Sequence, residues 1–318
     1  MDQKQSKQKF ISIVVPVFNE QDGIHHFYQT LTSCLKEANV RLEIIFINDG
    51  SVDNSWKILN DLHVLDPKVK LIDLSRNFGH QNALTAGIES ASGDAVVLID
   101  MDLEDVPATI LEFLVKWREG YEVVYAIRKS RQVSFVMKVM FSVFHRLNAL
   151  ISDFHMESAG IFCLMDRCVV EQFKKFPERD RYIPGLRVWV GYKQIGIKSD
   201  RGQRYDGRSR VGIFRMIKLA ADSIFSFSTL PLRFAIFFGM IFSFISFCIV
   251  GWILWIKLFT VLAIPGWTSI LCAVMLIGGV QLICMGLQGE YLLRVFNEVK
   301  NRPNYIVREV VGFDRKDI

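Results

Sequence analysis

One feature constrains the architecture more than any other: two long stretches without a charged residue. From Phe234 to Ile256 the chain reads FAIFFGMIFSFISFCIVGWILWI. Lys257 interrupts, and Leu258 to Gly289 is again free of charge. A helix needs about 20 apolar residues to cross a bilayer, so both stretches are long enough to span one. Between them, Ala263-Ile264-Pro265-Gly266 is a turn signal. The expectation is a two-helix transmembrane hairpin over residues 231–290. Arg210, Arg215, Lys218 and Arg233 precede it, Arg294, Lys300, Arg302 and Arg308 follow it, and only Lys257 lies inside the loop region. The positive-inside rule then puts both flanks in the cytoplasm. The polar start MDQKQSKQK has no apolar signal-peptide core, which agrees with a cytoplasmic N-terminal portion.

Composition excludes several classes. With 51% hydrophobic residues and 25 Phe the chain is not disordered. Six Cys in 318 residues do not make a disulfide-stapled mini-domain. Cys163 and Cys168 form no CxxC, and the six His show no metal-ligand spacing, so no zinc site is expected. The formal net charge of +5 is modest, and its basic residues cluster beside the apolar stretches. Anionic lipid headgroups suit that placement better than nucleic acid, for which no basic stripe with interleaved aromatics exists. Val211 to Phe227 places its apolar residues on one helical face, as an interfacial helix does.

Residues 10–126 alternate short β-rich runs with helical patterns. Strands are expected at 10–17, 42–47, 69–74, 95–99 and 121–126, and helices at 21–38, 55–65, 81–90 and 107–118. Such alternation argues for an α/β fold with a mostly parallel sheet, and ligands bind such sheets at the carboxyl ends of strands. Those ends are polar and acidic here: Phe18-Asn19-Glu20, then Asn48-Asp49-Gly50-Ser51-Val52-Asp53, then Ser75-Arg76-Asn77-Phe78-Gly79, then Asp100-Met101-Asp102-Leu103-Glu104-Asp105. No GxGxxG or GxxxxGK[ST] follows any strand, so neither a dinucleotide fold nor a P-loop is supported. Asp100 and Asp102 have the spacing to hold a hard cation such as Mg²⁺ or Mn²⁺.

These motifs, P-V-F-N-E, N-D-G-S-x-D, S-R-N-F-G-H-Q and D-x-D-L-E, resemble the inverting family 2 glycosyltransferases of GT-A fold. The likeness is strongest to the polyprenyl-phosphate glycosyltransferases, among them the bactoprenol glucosyltransferases and dolichol-phosphate mannose synthases. It extends through Gly207-Arg208-Ser209-Arg210 and Ser226 to Arg233. The resemblance implies that Pro16, Phe18, Glu20 and Asp49 hold the nucleoside, with Asp53 supporting the loop. It implies that Asp100 and Asp102 hold a metal on the diphosphate, with Asp100 also at the nucleotide sugar and Glu104 as a third ligand. Arg128, Arg131, Arg204 and Arg210 would meet the acceptor phosphate. Where the family often has an acidic residue before Phe, this chain has Ile161-Phe162, and the nearest carboxylate is Glu157. The catalytic candidates are therefore Asp100, Asp102, Arg128 and Glu157.

The reaction so implied moves a sugar, glucose by the nearest likeness, from UDP-glucose to polyprenyl phosphate with inversion. The domain expectation is a GT-A catalytic domain at 1–210, an interfacial helix at 211–230, the hairpin at 231–290 and a cytoplasmic tail at 291–318. The protein would be integral to a bacterial inner membrane, with the lipid bilayer as a partner, no nucleic acid, and room for homo-oligomers. A processive polysaccharide synthase of the same fold is the competing enzyme, but the chain has no Q-x-x-R-W. A non-catalytic, nucleotide-sugar-sensing membrane scaffold is the competing class.

Overall fold

The computed structural model describes residues 8–128, 159–179, 181–199 and 267–313, with isolated helical positions between 239 and 259. The chain divides into two compact units. The first comprises Met1–Ala149, Asp153–Gly212 and Pro303–Ile318; the second comprises Leu150–Ser152 and Ile213–Arg302.

In the first unit, β1 (Phe10–Val17), β2 (Arg41–Asn48), β3 (Val69–Leu74) and β4 (Ala95–Leu98) alternate with α1 (Ile24–Leu35), α2 (Ser55–Leu65) and α3 (His80–Ser90). Then come α4 (Thr109–Arg118), β5 (Val123–Arg128), β6 (Ala159–Asp166), α5 (Arg167–Lys175), α6 (Ile183–Trp189) and β7 (Gln194–Ser199), and β8 (Val307–Val311) closes the unit. The sheet runs β7-β5-β6-β4-β1-β2-β3-β8. β1 pairs in parallel with β2 and β4, and β2 with β3, while β6 runs antiparallel to both β4 and β5. The α/β GT-A-like mixed sheet is thus present, with its central strands as expected.

The central strands are apolar on both faces because helices cover both. On one side Ile11, Ile13 and Val15 pack with Ile24, Phe27 and Leu31 of α1 and with Ile110 and Phe113 of α4. On the other, Val14, Ile45 and Ile47 pack with Ala83, Leu84 and Ala86 of α3 and with Val169 and Phe173 of α5. α3 lies so close that a Cβ on Gly87 would run into the side chains of Val14 and Ile47.

The second unit contains α7 (Trp267–Val299), a helix of 33 residues. Among the described residues, no helix is long and apolar enough to cross a membrane. This corrects the expected transmembrane hairpin and, with it, the integral-membrane placement. The uncharged run does not stop at Gly289 but continues in the same helix through Glu290 and Arg294 to Val299. The first uncharged stretch and the 211–230 segment lie outside the described residues, apart from those isolated positions.

Candidate active site

The site begins where β1 stops pairing with β4. The Val14 carbonyl accepts the Ile99 amide (3.2 Å), so in a parallel ladder the next donor toward β4 would come from residue 16. That residue is Pro16, which has no N–H to give. The ladder therefore ends there and Asp100 is released into a loop. Phe18 follows with 42% of its surface exposed, which leaves its ring available to a flat ligand.

The loops after β1 and β2 are tied to each other. The Asn19 backbone, at φ 54°, donates to Ser51 Oγ (3.0 Å), and Asn19 Oδ1 accepts the Val52 amide (2.9 Å). Glu20 N–H donates to Ser55 Oγ (3.1 Å). Asp53 accepts the Gln21 amide (3.2 Å) and the Ser55 amide (3.0 Å). Burial alone would raise the Asp53 pKa, but these bonds outweigh it and hold the carboxyl below its usual value. Asp53 thus braces the pair of loops.

Asp49 is 3% exposed and faces the loop after β3. Its carboxylate accepts the amides of Phe78 (2.7 Å) and Gly79 (3.0 Å), just before α3 begins. Burial raises its pKa, against the lowering effect of those amides and of His80 and Arg76. Gly50 has φ +67°, and a Cβ there would collide with the backbone of Arg76 and Asn77. Only glycine lets the loop after β3 cross so closely.

Asp100 and Asp102 follow β4. Asp102 Oδ1 accepts the Glu104 amide (3.0 Å), and Leu103 between them holds φ 58°, a strained value for a bulky residue. His80 is absent from the residues expected at the site, yet its Nε2 lies 3.3 Å from Asp100 Oδ1. Desolvation would lower the His80 pKa, but the hydrogen bond to Asp100 and the charges of Asp100, Asp49 and Asp102 raise it. The available signal was its place in the S-R-N-F-G-H-Q motif, one residue past the glycine that precedes α3.

The two carboxylates offer hard oxygen donors and fit a divalent cation that also takes oxygens from a diphosphate. Glu104, expected as a third ligand, is 8% exposed, and among the described residues no group of three His, Cys, Asp or Glu side chains is arranged to hold a metal. The backbone of Arg128 ends β5. Arg131, Glu157, Arg204 and Arg210 lie outside the described residues. The structure therefore brings together Pro16, Phe18, Glu20, Asp49, Asp53, Asp100 and Asp102 at the ends of three adjacent strands, β4, β1 and β2.

Comparison with known proteins bears on this geometry. The model of glycosyl transferase family 2 matches residues 12–163. A glycosyltransferase of Bacillus subtilis (strain 168) is 42% identical over 96% of this chain and 95% of its own. The SfII prophage-derived bactoprenol glucosyl transferase of Shigella flexneri is 40% identical over 94% of this chain and 97% of its own. Among solved structures, a mannosyltransferase of Pyrobaculum calidifontis in complex with GDP-Man and Mn²⁺ is 13% identical over 94% of this chain and 89% of its own. Its TM-score is 0.46, too distant a likeness to carry function.

Proposed function

We propose that this chain, which belongs to glycosyl transferase family 2 and is a hexosyltransferase, transfers a sugar from a nucleotide diphosphate to a polyprenyl phosphate with inversion. The chief support is the 40% identity, over 94% of this chain, to a protein named as a bactoprenol glucosyl transferase. Glucose from UDP-glucose is the donor this reading names.

Pro16, Phe18, Glu20 and Asp49 form the nucleoside side, and Asp53 keeps their loops in place. Asp100 and Asp102 would hold Mg²⁺ or Mn²⁺ against the diphosphate. When bound, that ion stabilises negative charge on the departing nucleoside diphosphate. The nucleophile is a phosphate monoester with a second pKa near 6, so much of it is already dianionic at neutral pH. A strong general base is therefore dispensable, and Glu157 is the candidate should one act. Two anionic reactants need cations between them, and Arg binds two phosphate oxygens with one fork. Arg128, Arg131, Arg204 and Arg210 are assigned that task.

The test is a panel of nucleotide sugars with a defined polyprenyl phosphate and purified protein. Formation of a lipid-linked glucose from UDP-glucose, lost with EDTA and restored by Mg²⁺ or Mn²⁺, is the expected result. Turnover with another donor would replace the sugar assignment. Elongation of a soluble polymer without lipid product would replace the acceptor.

A further inference from the structure

We infer that Arg308, on the last strand, is a positioning residue for the donor-binding loop, acting through Asp73 and Asn48. The inference rests on the donor site proposed above. Arg308 Nη1 donates to Asp73 Oδ2 (3.2 Å), and Nη2 donates to the Ser75 carbonyl (2.6 Å). The other oxygen of Asp73 accepts Asn48 Nδ2 (2.7 Å). Asn48 Oδ1 accepts the Ser51 amide (3.2 Å), and Ser51 Oγ accepts the Asn19 amide (3.0 Å). A continuous set of bonds thus runs from β8 to the loops assigned to the nucleoside.

Charge gives this set its direction. An ionised carboxylate only accepts, so Asp73 requires Asn48 to turn its NH₂ inward. The Asn48 oxygen is then left facing Ser51, and the amide has one orientation. Asn48 and Asp73 are register partners in β2 and β3, both 2% exposed. A carboxylate so buried needs donors on both oxygens, and a cation among them offsets its charge. Arg308 supplies the cation. Its own side chain is 59% exposed, so it contributes little to core packing. The β3–β8 register shifts between Asp73 and Leu74, where Arg308 crosses to reach both Asp73 and the Ser75 carbonyl. Without Arg308, Asp73 loses the Nη1 donor that fixes where its two oxygens point, and with it the fixed acceptor for Asn48 Nδ2. The amide then loses its single orientation and the loop from Asp49 to Asp53 loosens.

A second anchor of the same chain segment provides the control. Tyr305 donates to Glu89 Oε2 (2.6 Å) on α3, away from Asp73. The experiment measures UDP binding with Mn²⁺, and amide hydrogen exchange in the ligand-free protein, for full-length parent, Arg308→Ala, Arg308→Lys and Tyr305→Phe. Arg308→Ala should weaken UDP binding about fivefold, the low end of typical coupling between sites. It should also speed exchange at residues 48–53. Arg308→Lys should recover part of both effects, and Tyr305→Phe should leave both at parental values. Asp73→Asn, a buried isostere, should reproduce the loosening if Arg308→Ala folds poorly. Unchanged exchange at 48–53 in both Arg308→Ala and Asp73→Asn would overturn the inference, as would equal loosening in Tyr305→Phe. If the parent binds neither UDP nor GDP while Arg308→Ala still speeds exchange there, the relay stands and the donor assignment falls.

Discussion

Single residues carry the site's constraints unequally. Asp102 offers a clean substitution, because asparagine keeps an oxygen to accept the Glu104 amide while removing the charge. Asp102→Asn should leave the melting temperature near the parental value. It should lower kcat by about 10²–10³-fold, the usual scale for losing one electrostatic contributor to the transition state. Steady-state kinetics with the proposed donor and acceptor would measure it, and an unchanged kcat would remove Asp102 from the mechanism. Gly50 fails in another way. At φ +67°, with the backbone of Arg76 and Asn77 against its Cα, alanine has no room. Gly50→Ala should cost more than about 2 kcal/mol in denaturant unfolding. Motif pattern alone shows that glycine stands there, but the crossing backbone that demands it is a tertiary fact.

Elements meet through polar groups as well as through the core. At the opening ends of β1, β2 and β3, Glu43 of β2 is 2% exposed. It bonds Ser12 of β1, Lys70 of β3 (2.7 Å) and the Ser92 amide (2.8 Å). Burial alone would raise the Glu43 pKa, but Lys70, Ser12 and Ser92 outweigh it and lower it below 4.5. A lowered folded-state pKa means that the unfolded chain binds more protons in the window just below 4.5. The Glu43 contribution is therefore complete above that value and is lost as pH falls through the folded-state pKa. Thermal melts between pH 3 and 7 should show an acid limb that Glu43→Gln flattens. At neutral pH the same change should cost about 2 kcal/mol, since it strands the Lys70 charge. A parental acid limb in Glu43→Gln would contradict this account. None of it is visible in strand periodicity, which marks position 43 only as one more residue of a β-rich run.

At the scale of the whole chain, the C-terminal segment completes the first unit. Pro303–Ile318 belongs to the first unit although α7 precedes it in sequence. β8 covers the edge of β3, and Tyr305, Val310 and Phe313 pack against the core on one face. Removing residues 303–318 should destabilise that unit by about 3 kcal/mol from lost apolar burial, and expose a sheet edge prone to association. Calorimetry and light scattering would read the two effects, and an unaltered melt would show the strand to be dispensable. Much of this molecule was legible in its sequence. The strands and helices from Phe10 to Arg118 follow from local apolar periodicity, and the acidic strand ends mark the candidate site. Periodicity reads local order, because it depends only on neighbours within a few residues. It also misled at Trp267–Val299: the uncharged run is helical, but among the described residues no helix is long and apolar enough to cross a membrane. The antiparallel insertion of β6 between β4 and β5, the bond from His80 to Asp100, and the reach of Arg308 across 235 residues to Asp73 were decided only by the tertiary structure. Such pairings depend on which chain segments the folded sheet brings together, and no local pattern encodes that partner.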